Sequence, residues 1–216
     1  YCMIVLDGEG ERTFFTFRGC EGHFDPARLP RPVVEEAAAV FVTGIYLLYP
    51  GWSEKAVDFL EELASAGTPV LFDPGPLLGE MDPALLRRMV ELAYILTPNR
   101  QERRELERLL GIPSLPEWGF ARRLTCLAET WGDGGARLYT PEGVETLPAL
   151  PAQVVDTTGA GDSFAGGLLA GLLMGQTPLQ AAWTASACGA LTTEAVGAHP
   201  SFTWADVRER LRQAER

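Results

Sequence analysis

The residues Asp156-Thr157-Thr158-Gly159-Ala160-Gly161-Asp162-Ser163-Phe164-Ala165-Gly166-Gly167-Leu168-Leu169 bring together a glycine turn, a carboxylate and an apolar run. Gly159-Ala160-Gly161 predicts a tight turn, because glycine adopts backbone angles that other residues avoid. Val154-Val155 ahead of it predicts the end of a strand. From Ser163 the apolar residues predict a buried helix reaching Met174. A glycine turn opening a helix points several free N–H groups one way, at the positive end of the helix dipole. That arrangement holds phosphate. Asp162, in the first helical turn, would sit beside the same anion, where a carboxylate binds phosphate poorly but can accept a proton. An ordinary explanation, a helix-start carboxylate stabilised by the dipole, also covers Asp162. It leaves the adjoining turn unexplained.

This stretch resembles the C-terminal signature of the ribokinase-like sugar kinases, the phosphofructokinase-B family. The resemblance implies a Rossmann-like three-layer α/β sandwich with a mostly parallel sheet and a small β lid. It implies ATP-dependent, magnesium-assisted phosphorylation of a hydroxyl on a sugar or nucleoside. Asp162 would then be the general base and Gly159, Ala160 and Gly161 the anion hole.

Further residues take roles from the same resemblance. Thr97-Pro98-Asn99-Arg100-Gln101-Glu102 matches the family's Asn-x-x-Glu motif, which implies Asn99 near the phosphates and Glu102 on the water shell of Mg²⁺. Magnesium keeps several waters, so one indirect carboxylate suffices. By residue type alone, Asn99 and Glu102 form a helix capping box. Arg100 reads as an unremarkable helix-surface residue. Thr130, Gly132 and Gly135 would bring backbone close to the nucleotide, although Asp133-Gly134 also predicts a plain hairpin turn. Ser186 matches a nucleotide-contact position on a helix of small residues, which equally suits close helix packing. Family members often hold a monovalent cation such as K⁺. Asp156, Thr158, Thr192, Ala195, Gly197 and Ser201 match its positions, mostly as carbonyl donors, and oxygen ligands suit a hard cation. Asp156 and Ser201 have ordinary turn roles as well.

The elements that must position these residues can be read along the chain. Met3–Leu6 and Thr13–Phe17, joined by Asp7-Gly8-Glu9-Gly10, predict a hairpin; residues 1–20 would be part of the lid and 21–216 the nucleotide-binding α/β domain. Val33–Ala39 predicts a short helix. Val40–Thr43, Val70–Asp73, Tyr94–Thr97 and Thr125–Thr130 predict strands. Gly44-Ile45-Tyr46 would lie at a strand's C-terminal end, where open α/β sheets bind ligands. Ser53 is expected to cap a helix ending at Gly67, and Asp82-Pro83 to start another. Asp73 either faces the active cleft or satisfies the turn at Pro74-Gly75-Pro76, and the turn role is the expected one. Residues 113–130 have the least regular pattern. Arg137–Thr140 and Val144–Leu147 predict a β-ribbon, Thr177-Pro178 a helix to Leu191, and Thr203 the cap of a final helix. Strands alternating with helices indicate a largely parallel sheet covered on both faces.

Composition narrows the function. The 216 residues suit one sizeable α/β domain, and 18 basic against 29 acidic residues give a net charge of -11. That argues against nucleic-acid or anionic-membrane surfaces as partners. The cysteines at 2, 20, 126 and 188 are scattered, which suggests a reduced, cytoplasmic protein without structural zinc. No apolar run is long enough to span a bilayer. A P-loop enzyme is disfavoured by the lack of G-x-x-x-x-G-K-[ST], and a dinucleotide oxidoreductase by the lack of G-x-G-x-x-G. The family's N-terminal third, with its Gly-Gly/Asn sugar signature, has no counterpart in these residues. Two readings follow: a kinase known here in part, or a non-catalytic nucleotide-binding remnant. Lid strands of this family often pair across a homodimer.

Overall fold

The structure, a computed structural model, describes residues 2–6, 12–17, 19, 25–49, 51–199 and 201–214. A two-stranded sheet opens the chain: β1 (Cys2–Leu6) pairs antiparallel with β2 (Arg12–Thr16), Met3 opposite Phe15 and Val5 opposite Thr13. The expected turn at Asp7-Gly8-Glu9-Gly10 lies outside the described residues. Met3, Ile4, Val5, Phe14 and Phe15 are all exposed, so both faces of this ribbon are apolar and uncovered.

The main sheet has six strands in sequence order: β3 (Val40–Thr43), β4 (Val70–Asp73), β5 (Ile95–Leu96), β6 (Cys126–Thr130), β7 (Ala136–Thr140) and β8 (Gly143–Leu147). The first four run parallel and the last two antiparallel. Crossovers pass through α2 (Ser53–Ser65), α3 (Pro83–Leu92), α4 (Arg100–Leu110) and α5 (Leu115–Phe120), after the short α1 (Arg31–Glu35). Helices α6 (Ala160–Leu173), α7 (Pro178–Thr193) and α8 (Trp204–Ala214) complete the chain.

Strand side chains alternate between faces, and here both faces are buried. Val70, Phe72, Leu96 and Leu127 pack with Leu60 of α2, Leu86 and Met89 of α3 and Leu106 of α4. Leu71, Ile95, Cys126, Ala128 and Leu138 pack on the other side with Phe164 and Leu168 of α6 and Ala181 and Ala185 of α7. This is the expected three-layer α/β arrangement. The α6–α7 contact is close because glycine permits it: a Cβ on Gly167 would stand 2.9 Å from Cys188 Sγ, and one on Gly171 3.0 Å from Ala181 Cα. The small residues of α7 are consumed mainly by this packing.

Several expectations need correction. Val154 and Val155 end no strand; they are exposed, and the N–H groups of Val155 and Asp156 both donate to Thr193 O. β-branched residues favour extended backbone, but a strand also needs a partner, and this segment runs past the C-terminus of α7 instead. The helix expected from Ser163 begins at Ala160, with Gly159 as its left-handed cap. Ser53 is the first residue of α2 rather than its cap, and its hydroxyl donates back to Tyr49 O at 2.5 Å. The irregular stretch after Pro113 contains α5, capped by Ser114, whose hydroxyl accepts the Glu117 N–H at 3.4 Å. Cys2, Cys126 and Cys188 are free.

Candidate functional site

The C-terminal ends of the parallel strands converge on a cleft of about 320 Å³. Thr43 closes β3, Asp73 closes β4, Thr97 follows β5 and Thr130 closes β6; all four line the cleft with Asn99, Glu102, Gly161 and Asp162. Asn99 and Thr130 are bridge partners, and the Thr130 N–H donates to Pro98 O at 3.0 Å.

The turn beneath the cleft has the anticipated form. Gly159 adopts φ 77°, and a Cβ there would lie 2.7 Å from Ala198 O, so both backbone angle and space require glycine. The N–H groups of Gly159, Gly161 and Asp162 find no acceptor among the described residues, whereas that of Ala160 reaches Thr157 O at 3.3 Å. A Cβ on Gly161 would meet nothing within 4 Å. Asp162 is exposed toward the cleft.

Asn99 and Glu102 form the complete capping box. Asn99 Oδ1 accepts the Gln101 and Glu102 N–H groups at 2.8 and 2.9 Å, and Glu102 Oε2 accepts the Asn99 N–H at 2.7 Å. The capping box thus uses Asn99 Oδ1 and Glu102 Oε2; the amide NH₂ of Asn99 and Oε1 of Glu102 are not part of it. Burial pushes the Glu102 carboxyl up, and the Asn99 N–H offsets this in part.

Asp73 takes both of the roles that the sequence left open. Its Oδ1 accepts the Gly75 N–H at 3.1 Å, as a turn residue should, but its Oδ2 accepts the Thr97 hydroxyl at 3.1 Å and the residue lines the cleft. Burial, with the negative charges of Glu102 and Asp162 nearby, raises its pKa to about 7. The signal was its position at a strand's C-terminal end.

The remaining anticipated residues lie outside this cleft's lining. Gly132 and Gly135 form the β6–β7 connection with positive φ, and a Cβ on Gly135 would fall 2.1 Å from Leu147 O, so its close approach is to the protein's own backbone. The Ser186 hydroxyl donates to Ala182 O within α7. Asp156 gathers part of the expected cation set: Oδ1 accepts the Thr158 N–H and hydroxyl at 2.9 and 2.7 Å, and Oδ2 the Gly197 N–H at 2.9 Å. The Thr192 hydroxyl donates to Cys188 O, while its carbonyl accepts the Ala195 N–H at 3.5 Å. Ser201 is exposed. Among the described residues no group of three or more His, Cys, Asp or Glu could hold a metal ion by itself, and no helix is long and apolar enough to cross a membrane.

The profile of the pfkB family carbohydrate kinases matches residues 1–205, and the chain belongs to that family. It is 33% identical over 187 residues to the uncharacterized sugar kinase YegV of Escherichia coli (strain K12), a match covering 81% of this chain and 55% of that protein. A nucleoside kinase of Burkholderia thailandensis, solved in complex with inosine, superposes with a TM-score of 0.81 at 31% identity, over 99% of this chain and 67% of that one. A putative ribokinase II from E. coli, solved with ATP and Mg²⁺, shares the fold with a TM-score of 0.81 at 21% identity, over 94% and 68%. The chain therefore spans about half to two thirds of these relatives.

Proposed function

We propose that this chain carries the phosphoryl-transfer site of an ATP-dependent kinase acting on a hydroxyl of a sugar or nucleoside. Phosphoryl transfer needs positioning, charge neutralisation and a base rather than covalent chemistry from the protein. The observation that carries the reading is the left-handed Gly159 cap, with unengaged N–H groups at Gly159, Gly161 and Asp162 beside a cleft that Gly161 and Asp162 line. Asp162 takes the proton from the attacking hydroxyl. The turn Gly159-Ala160-Gly161 holds the transferred group as charge builds, its donors fixed in advance of the reaction. The amide of Ala160 contributes once it leaves its long bond to Thr157 O. Asn99 offers its NH₂ to the phosphates, and the Thr130–Gly135 turn and Ser186 flank the nucleotide.

Magnesium fits the donors present. Glu102 has one carboxylate oxygen outside the capping box at the cleft, enough to hold a hydrated ion through water. When bound with ATP, the ion neutralises phosphate charge. The Asp156, Thr158, Thr192, Ala195, Gly197 and Ser201 loop pair is the proposed seat of a monovalent cation, K⁺ being the natural probe.

The exposed apolar β1–β2 ribbon supports pairing of two copies through these strands, since an isolated two-stranded ribbon is marginal in water. The acceptor class rests on the sugar and nucleoside kinases that the chain resembles. A panel of sugars and nucleosides with Mg²⁺ and γ-labelled ATP tests the proposal. Label transfer to one acceptor supports it; nucleotide binding without transfer to any acceptor favours a non-catalytic remnant.

A further inference from the structure

The cleft is poor in positive charge. Among the described residues its lining includes Asp73, Glu102 and Asp162 and no lysine or arginine, yet the proposed nucleotide carries several negative charges. One residue beyond the lining, cations appear. Asn99 and Thr130 are bridge partners on the cleft wall, and the next residue on each strand of that bridge, Arg100 and Trp131, stack on each other. The Arg100 guanidinium carbon lies 4.6 Å from the Trp131 ring centre, and that of Arg137 lies 4.0 Å from the same ring.

Acidic residues outnumber basic ones by 29 to 18, and Arg88, Arg103, Arg108, Arg122, Arg210 and Arg212 all pair with carboxylates. Arg100 and Arg137 make no ion pair among the described residues. Among the described residues the buried Arg137 Nε meets no acceptor in hydrogen-bond geometry, while the Trp131 indole faces the Glu129 carboxyl. Buried donors without partners are rare and call for an explanation such as an ion. Two guanidinium groups on one indole repel each other, and an anion between or beside them removes that cost.

We propose that Arg100, laid across the Trp131 ring, pairs with the phosphate chain of the nucleotide, with Arg137 reinforcing the positive field from the same ring. Guanidinium matches phosphate geometry through paired N–H donors, and stacking on an indole holds it ready for them. Arg100 is exposed and free to reach outward, whereas Arg137 is half-buried and fixed. The inference rests on the nucleotide site proposed above and extends it to a residue that the family motif leaves unassigned.

Calorimetric titration of the purified chain with adenosine, ADP and a slowly hydrolysed ATP analogue plus Mg²⁺ provides the test. In Arg100→Gln the dissociation constant for the ATP analogue should rise about tenfold or more, the loss of one charge-assisted contact. That for adenosine should stay within about twofold, because the cation acts on phosphate. Arg100→Lys should fall between, keeping the charge but losing the flat stack. Indole emission should change on addition of the ATP analogue in the parent, and Trp131→Phe should abolish most of that change. Unchanged affinity for the analogue in Arg100→Gln, or an equal loss for adenosine, overturns the inference. Failure of the parent to bind any nucleotide overturns both this inference and the kinase proposal. Parent binding with the Arg100 effect, but no transfer to any acceptor, upholds the inference and sinks only the kinase proposal.

Discussion

Glu129, with no exposed surface, accepts a hydrogen bond from Arg103 Nε at 2.8 Å and so ties the first turn of α4 to the end of β6. Its other oxygen accepts the Tyr139 hydroxyl at 2.9 Å, and Arg103 reaches on to Glu107 at 2.6 Å. Burial pushes the Glu129 carboxyl up, but the donors of Arg103, Trp131 and Tyr139 facing it outweigh this, and its pKa ends below the usual carboxylate range. Glu102 precedes Arg103 and Thr130 follows Glu129. The ion pair therefore fixes the two walls of the cleft against each other.

Removing one partner of a buried pair leaves the other charge uncompensated, at a cost of about 3–5 kcal/mol. Glu129→Ala should lower the thermal midpoint by roughly 10 °C. The double variant Arg103→Met, Glu129→Leu should recover most of that loss. Thermal denaturation followed by circular dichroism measures both. A double variant as unstable as Glu129→Ala alone contradicts the account.

The two glycines of the turn separate structure from chemistry. Gly159→Ala meets both a positive φ and the backbone of Ala198, so it should destabilise by about 2 kcal/mol or more. Gly161→Ala meets open space at an ordinary φ. It should fold normally yet lower phosphoryl transfer by about 10- to 100-fold, because the methyl group crowds the anion. Equal melting behaviour of the two variants would show that the turn is not strained as described.

Much of this site was legible in the sequence. The capping box at Asn99 and Glu102, the glycine turn and the parallel sheet are dictated by local patterns: a cap residue with its partner three positions on, a residue free of Cβ, and apolar runs between helices. What escaped notice depends on contacts distant in sequence. The Glu129–Arg103 pair joins residues 26 apart, and nothing local to the predicted strand Thr125–Thr130 marks the partner of Glu129. Asp73 reads first as a turn residue because its second partner, Thr97, follows a different strand. Val154-Val155 misled in the opposite direction, since residue type favours strand but supplies no neighbour.

Asn99 caps α4 through its oxygen, so replacing it with alanine would confuse helix stability with ligand contact. Asn99→Asp keeps an oxygen for the cap while replacing the amide donor with negative charge. Its thermal midpoint should stay within a few degrees of the parent. Its dissociation constant for Mg²⁺-ATP should rise about tenfold or more. Retained affinity in that variant would remove Asn99 from the phosphate contacts.

Asp73 predicts a pH dependence of defined sign. Its folded pKa of about 7 lies above the usual aspartate value, so the folded state binds more protons than the unfolded chain between about pH 4 and 7. Its contribution to stability is therefore fully present at low pH and lost as pH rises through 7. Asp73→Asn stays neutral and keeps an acceptor for Thr97 or Gly75. The variant should gain on the parent as pH rises, reaching about 1–3 kcal/mol at pH 8 after solvent screening. Urea denaturation at pH 5 and pH 8 reads the difference; a gap that shrinks between them would reverse the sign.

Asp162→Asn bears most directly on the central proposal. The substitution preserves size and leaves the Gly159 cap untouched. Once an acceptor is identified, single-turnover phosphoryl transfer should fall by about 10²- to 10⁴-fold while Mg²⁺-ATP binds within about threefold of the parent. Transfer at near-parental rate would remove Asp162 as the base and, with it, the mechanism built on this turn.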